Sequence, residues 1–459
     1  MNIKKILRET LTIKFDKAFG LDISDGSIEI IELEKVFKFS VVTYGRTELP
    51  EGVIEEGRII DQNILAEKLK KLLKEAKPQK VSTNKVIISL PESQVFVKCF
   101  EVEARLKGSS LIGTITNKVS LSLPINIDKT YWDFIEKPLA DKTKKLIMFV
   151  SVPKDVANSY VKFCNSIGLE VVSLCTESLS LARTILKSSN RQSLIIDIGS
   201  RSTNFNFFDS NDKINMSTTL PVGGDDMTMA VKNELKLEIS EAEALKIKSG
   251  FKDISNNQVR AIILPIIEDI LNEASGAINY YEETFKQKLD DIYVIGGSAL
   301  LPGIIEVIKS KLGREVQIAS CAYSINLEYI TGKNNTFPLY ANVIGLGMLG
   351  ASEEFKDMNL LRKMPTSEVN SVNKLNLFNM GYLSKVNTIR AIYNNKYVLI
   401  IMIILIGIIF AILLQQTKTF GIDETKTIPT TVNVIKPKIL PKVSTSTKAT
   451  TTSTSSKLK

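Results

Sequence analysis

Two segments of the chain set an aspartate at the end of an apolar run and follow it with small hydroxyl and glycine residues. Phe19 to Glu34 reads FGLDISDGSIEIIELE, and Leu194 to Asp209 reads LIIDIGSRSTNFNFFD. Aligned without gaps, Asp22 falls on Asp197, Ser27 on Ser202 and Ile30 on Phe205, an offset of 175 residues. Gly and Ser in such turns let backbone N–H groups approach a polyphosphate, and the hydroxyls add donors. An aspartate at the strand end can hold Mg²⁺ through water, because magnesium keeps much of its hydration shell. One D-x-G-S turn is ordinary; two related copies point to a shared phosphate clamp.

Two further elements fit around that clamp. Val294 to Gly303 reads VIGGSALLPG: strand Ile292 to Ile295 runs into Gly296 and Gly297, then Ser298, and Pro302 opens a helix over 302–312. Adjacent glycines permit close approach of a flat ring or a phosphate; the same pattern also suits a plain strand-to-helix loop. Val222-Gly223-Gly224-Asp225-Asp226 precedes the helical MTMAVKNELKLEISEAEALKIKSG. There Ser240 is an N-cap candidate for a second helix carrying Glu243 and Lys246, closed by Gly250. An E-x-x-K pair by itself also suits a solvated ion pair on a helix face.

Stepping from residues to elements, each aspartate sits in a β-hairpin signature: apolar strand, small-polar turn, then a strand alternating apolar and polar residues. Strand alternation points Glu29 at solvent. Each hairpin opens a region of more than 100 residues, so the pattern predicts two related α/β domains facing each other. The 459 residues leave room for two to four domains.

Composition narrows the chemistry. The chain has no histidine and a formal charge of +9. Without His there is no Ser-His-Asp triad, imidazole base or His-ligated metal. No Lys-bearing Walker loop is present, which excludes a P-loop enzyme. Cys99, Cys164, Cys175 and Cys321 form no C-x-x-C pair and read as buried free thiols of a reducing compartment.

Tyr397 to Leu414 reads YVLIIMIILIGIIFAILL, inside a charge-free window of 21 residues between Lys396 and Lys418. Such a helix is about 31 Å long, the thickness of a bilayer core. The basic N-terminus lacks a signal-peptide core, so the preceding domains are expected in the cytoplasm and residues 415–459 across the membrane. The last 16 residues hold 11 Ser or Thr, a composition too polar to fold. Of the net charge, +6 lies in this tail and +4 in residues 357–396, leaving −1 for residues 1–356. The excess positive charge thus argues for lipid headgroups or the cell envelope and against nucleic acid.

Asp-hairpin, Asp-hairpin and GG-S-x-x-x-P-G, in that order, resemble the phosphate 1, phosphate 2 and adenosine motifs of the actin/Hsp70/FtsA ATPases. GGDDMTMAV…AEALKIKSG, CTESLSLARTIL and NVIGLGMLGA (Asn342 to Ala351) resemble the PilM family of type IV pilus assembly proteins. The resemblance covers about Phe19 to Ala351. It implies a two-lobed, actin-like (RNase H-like, duplicated) α/β fold with an inserted FtsA/PilM-type subdomain at about 85–170 and a second lobe at about 193–340. It implies ATP and Mg²⁺ between the lobes: Ser27, Gly199, Ser202 and Thr203 at the phosphates, Asp22 and Asp197 at the metal. It further implies Glu177 orienting the attacking water, Gly224, Gly296, Gly297 and Ser298 bordering the nucleoside, and Glu243 and Lys246 near ribose and adenine.

Two departures matter. PilM-like first hairpins usually read D-I-G-S-S-S-I-K, whereas here Ser24 follows Asp22-Ile23, Gly26 is displaced and Glu29 replaces Lys; slow hydrolysis is the expectation. Beyond the domain 19–355, MNLLRKMP (Met358 to Pro365) resembles the docking peptide of PilN, matching at Asn359, Leu360 and Leu361. The chain is thus organised as a leader (1–18), an ATP-binding domain, a docking peptide and linker (356–396), a span (397–414) and a tail (415–459). That layout implies a single-pass inner-membrane scaffold with PilN/PilO-like partners or a second copy of itself. An FtsA-like filament anchor and a nucleotide-free pseudo-ATPase are the alternatives.

Overall fold

The computed structural model describes residues 17–364 apart from 36–37, 140, 188–189, 253–256, 328–329, 331–335 and 353–357. Among the described residues no helix is long and apolar enough to cross a membrane. The expected span Tyr397–Leu414, the tail and most of the leader lie outside them.

The chain opens with an antiparallel meander, β1 (Phe19–Ile23), β2 (Ser27–Lys35) and β3 (Phe39–Glu48). A short hairpin, β4 (Ile54–Glu55) and β5 (Arg58–Ile59), leads to helix α1 (Gln62–Glu75). Asp61 caps α1 by accepting from the amides of Asn63 and Ile64, and Leu65, Leu69 and Leu72 form its buried stripe. Strand β6 (Lys85–Leu90) then lies parallel to β1.

The sequence pattern expected the inserted subdomain to begin with Lys85 to Leu90. Instead β6 belongs to the first lobe's sheet, because its apolar residues pair with β1 and are covered on both faces. What is inserted is β7 (Phe96–Glu103), α2 (Gly108–Ser120), β8 (Thr130–Pro138) and β9 (Lys144–Pro153), a three-stranded sheet in the order β7-β9-β8. Leu111, Ile115 and Val119 of α2 pack on Ile147 and Phe149 as a small core of their own. The chain rejoins the first lobe through α3 (Lys154–Ser166), edge strand β10 (Glu170–Thr176) and α4 (Glu177–Ile185).

The second lobe repeats the plan: β11 (Ser193–Ile198), β12 (Thr203–Phe208) and β13 (Ile214–Leu220), then α5 (Gly224–Leu235), α6 (Ile239–Ser249) and α7 (Gln258–Phe285). Strand β14 (Asp291–Ile295) pairs parallel with β11, followed by α8 (Ile304–Leu312) and β15 (Gln317–Ile318). The two sheets, β10-β6-β1-β2-β3 and β15-β14-β11-β12-β13, match strand for strand. Two helix starts differ from expectation: α6 is capped at Glu238 with Ser240 already helical, and α8 starts at Ile304 behind Gly303.

Helix α9 (Phe337–Gly350) returns to the first lobe. It is apolar all round and buried on every side, as such a composition requires. A Cβ on Gly345 would fall 2.1 Å from the Ser180 carbonyl oxygen, so only glycine lets α9 cross α4 this closely.

Candidate functional site

The two hairpins close with the same turn. Ser24 N–H donates to the Ser27 carbonyl at 3.0 Å, and Gly199 N–H donates to the Ser202 carbonyl at 3.0 Å. The turns face each other across the cleft: a Cβ on Gly26 would lie 2.9 Å from Ser200 Oγ, and Arg201 donates to the Ile54 carbonyl at 2.8 Å.

Behind the turns sit four carboxyl groups. Asp22, 8% exposed, accepts from Ser89 Oγ at 3.2 Å, and Asn342 Nδ2 donates to that same hydroxyl at 3.0 Å. Burial holds the Asp22 carboxyl above its usual range. Asp197 is pushed up to about 7, first by burial and then by Asp22 and Glu92. Glu177, the first residue of α4, is raised well above its ordinary range, by burial and then by Asp22, Glu92 and Asp197. Such mutual elevation places the groups within electrostatic reach of one another. Among the described residues no three of them converge closely enough to bind a bare ion. Aspartate oxygens at two strand ends are donors of the kind that a hydrated Mg²⁺ takes.

The glycine-rich turn abuts the same centre. Gly296 has φ +86°, and a Cβ there would lie 2.6 Å from Asp197 Oδ1. Only glycine fits, which fixes Gly297 and Ser298 beside the second hairpin. Gly224 joins them: its N–H donates to the Gly199 carbonyl at 2.9 Å, and a Cβ on it would lie 2.9 Å from Ser298 Oγ and 3.5 Å from Lys246 Nζ. Lys246 is 5% exposed, donates to the Gly224 carbonyl (2.9 Å) and Thr228 Oγ1 (2.7 Å), and pairs with Glu243 at 2.7 Å. The E-x-x-K pair is thus built into the wall of the cleft.

Other expectations are altered. Thr203 does not reach the phosphate turn. It is fully buried, and its hydroxyl donates to the Val222 carbonyl at 2.8 Å, because strand pairing turns it into the second lobe. The Ser27 hydroxyl lies 3.2 Å from that of Ser24. Glu29 does not face solvent. It is 3% exposed, in register with Asp22 on β1 and Arg46 on β3, and bound by Arg46 Nε at 2.9 Å. Alternation misleads here because β2 is an interior strand covered on both faces. Burial and Asp22 push Glu29 up to about 8 against the pull of Arg46.

Several further residues complete the site. Ser89 and Asn342 reach Asp22, and Glu92 touches α4 through a hydrogen bond to Ser178 N. Asn204 and Asn206, polar positions of β12, bond Thr219 and Ser217 on β13. The N-x-N alternation in TNFNFF marks the two asparagines of β12, and Asn342 opens NVIGLGMLGA; Ser89 and Glu92 have no such signal.

The profile of the family described as type IV pilus assembly protein PilM matches residues 20–348, about seven-tenths of the chain. The chain belongs to the PilM family. A solved PilM–PilN type IV pilus biogenesis complex superposes with a TM-score of 0.62 at 18% identity, over 73% of this chain and 99% of that one. The cell division protein FtsA of Streptococcus pneumoniae is 24% identical over 387 residues, 74% of this chain and 81% of the relative. FtsA of Bacillus subtilis is 22% identical over 205 residues, 39% of this chain and 46% of that relative. The likeness to that solved complex is one of fold.

Beyond α9 the PilM-family domain carries a docked segment. Asn359 Oδ1 accepts from Leu174 N–H at 3.0 Å, and its Nδ2 donates to the Val172 carbonyl at 3.3 Å. One amide thereby satisfies a donor and an acceptor on the free edge of β10. Leu360 is fully buried, Leu361 half-buried, and Met358 and Met364 flank them at 5% and 7% exposure. Pro365 lies outside the described residues.

Proposed function

We propose that this PilM-family protein is an ATP-binding scaffold of a type IV pilus or related secretion platform at the inner membrane. The observation that carries it is the pair of equivalent aspartates, Asp22 and Asp197, set behind facing phosphate turns with Glu177 between lobes. In this reading Asp22 and Asp197 hold Mg²⁺ through its waters, and the turns at Ser27, Gly199 and Ser202 present N–H and hydroxyl donors to phosphates. Gly224, Gly296, Gly297 and Ser298 border the nucleoside, with Lys246 and Glu243 alongside. The ion's chemistry is neutralisation of phosphate charge. Glu177 orients water, and Glu29 beside Asp22 keeps hydrolysis slow. Occupancy biases lobe closure, and closure changes the surface shown to partners.

The segment Met358–Met364 serves as a docking peptide of PilN type already seated in its own domain, followed by a linker and the span Tyr397–Leu414. This organisation keeps the domain on the cytoplasmic face within reach of PilN/PilO-like partners. The FtsA relatives support a second reading, a nucleotide-dependent self-assembly that anchors a filament to the membrane.

The test is thermal. Mg–ATP at about a hundred times its Kd adds about 2.7 kcal/mol to the full chain, a rise of a few degrees in melting temperature. Asp197→Ala abolishes that rise; a wild-type chain indifferent to every nucleotide defeats the reading. Leu360→Asp buries a charge in the docking seam and exposes residues 356–396 to protease. Unchanged cleavage would reduce the segment to a linker.

A further inference from the structure

The loop leaving β6 carries a carboxylate that stands outside every motif. Glu92 is 2% exposed and lies where the first lobe, α4 and the second lobe meet. Its backbone N–H donates to Glu177 Oε2 at 3.2 Å. Its own Oε2 accepts from Ser178 N–H at 3.1 Å. Residues 92 and 177 therefore brace each other in both directions, amide to carboxylate and carboxylate to the first turn of α4.

The third contact crosses the cleft. Ser217 Oγ on β13 donates to Glu92 Oε1 at 2.9 Å and lies 2.8 Å from Asn206 Oδ1 on β12. A helix-start N–H needs an acceptor, and a buried carboxylate needs donors for both oxygens. Here α4 supplies donors to the carboxylate from Ser178, and the second lobe supplies the donor to Oε1 from Ser217.

We propose that Glu92 is a positioning residue that ties lobe closure to the placement of Glu177. With Ser217 seated, both Glu92 oxygens are held and the carboxylate stays on Ser178 N–H. When β13 moves away, Oε1 loses the Ser217 donor, the carboxylate turns toward water, and the first turn of α4 loosens with Glu177 on it. The functional meaning rests on the nucleotide reading above; the mechanical coupling does not.

Three variants of the full chain separate these. Glu92→Ala deletes both arms, whereas Ser217→Ala deletes only the one from the second lobe. Glu92→Gln keeps both, since its amide oxygen accepts from Ser178 N–H and its Nε2 donates to Ser217 Oγ. In the nucleotide-free chain, amide exchange over residues 176–185 should quicken about five- to tenfold in the alanine variants, the worth of one hydrogen bond. Glu92→Gln should stay within about twofold of wild type, and exchange in the core of α7 should not change. Equal exchange in Ser217→Ala and wild type overturns the proposal, as does acceleration that extends through α7. Where ATP turns over, Ser217→Ala should lower kcat by a similar factor with KM within about twofold; a change in KM alone overturns it. If Mg–ATP moves neither melting nor exchange of the wild type, the nucleotide reading fails while the apo exchange still decides the coupling.

Discussion

The two Asp hairpins share a backbone and differ in electrostatics. Both close with an N–H donated across the turn at 3.0 Å, and both sit in sheets of identical strand order. The residue paired across from the aspartate differs: Glu29 opposite Asp22, Asn204 opposite Asp197. The first lobe balances its extra acid with Arg46, at 2.9 Å, while the second needs only a hydroxyl, Thr219 Oγ1 on Asn204 Oδ1 at 2.8 Å. Duplication thus preserved the turn and let the charge beside it diverge. A triphosphate in this cleft would meet a titratable acid on one side and a neutral amide on the other.

Making the second hairpin acidic should have the largest effect. Asn204→Glu buries a carboxylate beside Asp197 where Asn204 is 7% exposed and Thr219 is its side-chain partner. Unfolding in urea at pH 8 should show a loss of about 3 kcal/mol or more, shrinking at pH 5 as the acid takes a proton. A loss independent of pH would mean that volume decides.

Neutralising the first hairpin should have a smaller effect of opposite sign. Glu29 has its pKa raised from the ordinary 4.5 to about 8, and Asp197 from 3.8 to about 7. The folded chain therefore binds more protons than the unfolded one between those limits. Their stabilising contribution is fully present below about pH 4, and is lost as pH rises through about 7 to 8. Glu29→Gln should flatten that decline, matching wild type near pH 4.5 and exceeding it by about 1–3 kcal/mol at pH 8.5. A parallel decline in both proteins would show that Glu29 is already ionised against Arg46.

Matching the turns should have the smallest effect. Ser24→Gly copies the glycine of the second hairpin and removes hydroxyl contacts to Ser27 Oγ (3.2 Å), its carbonyl (3.2 Å) and its N–H (3.1 Å). A cost of about 0.5–1 kcal/mol is expected in chemical denaturation. Nucleotide affinity should improve as the Ser27 hydroxyl is freed. Weaker affinity would show that Ser24 itself is the donor.

The duplicated hairpins, Gly296 and the helix α6 were legible as patterns because local residue types encode local backbone. Glu29 was misplaced because alternation reports a polar position without saying whether a helix covers it; here Tyr340 of α9 lies close enough to feel its charge. Thr203 was misplaced for a related reason, since one step along a strand exchanges faces. Glu92 was invisible: its partners Ser178 and Ser217 stand 86 and 125 residues away.

By itself the sequence determined the repeat, the order of the phosphate and glycine-rich turns, the absence of imidazole chemistry and the segregation of positive charge toward the C-terminus. Those properties depend on residue type and short spacing, which survive translation into any arrangement of the chain. Only the tertiary structure decided which carboxylates share one buried site, that Lys246 lines the cleft, and that Asn359 seals the edge of β10. Each is a contact between distant segments. Its free energy comes from burial, and burial is defined only once the lobes have packed.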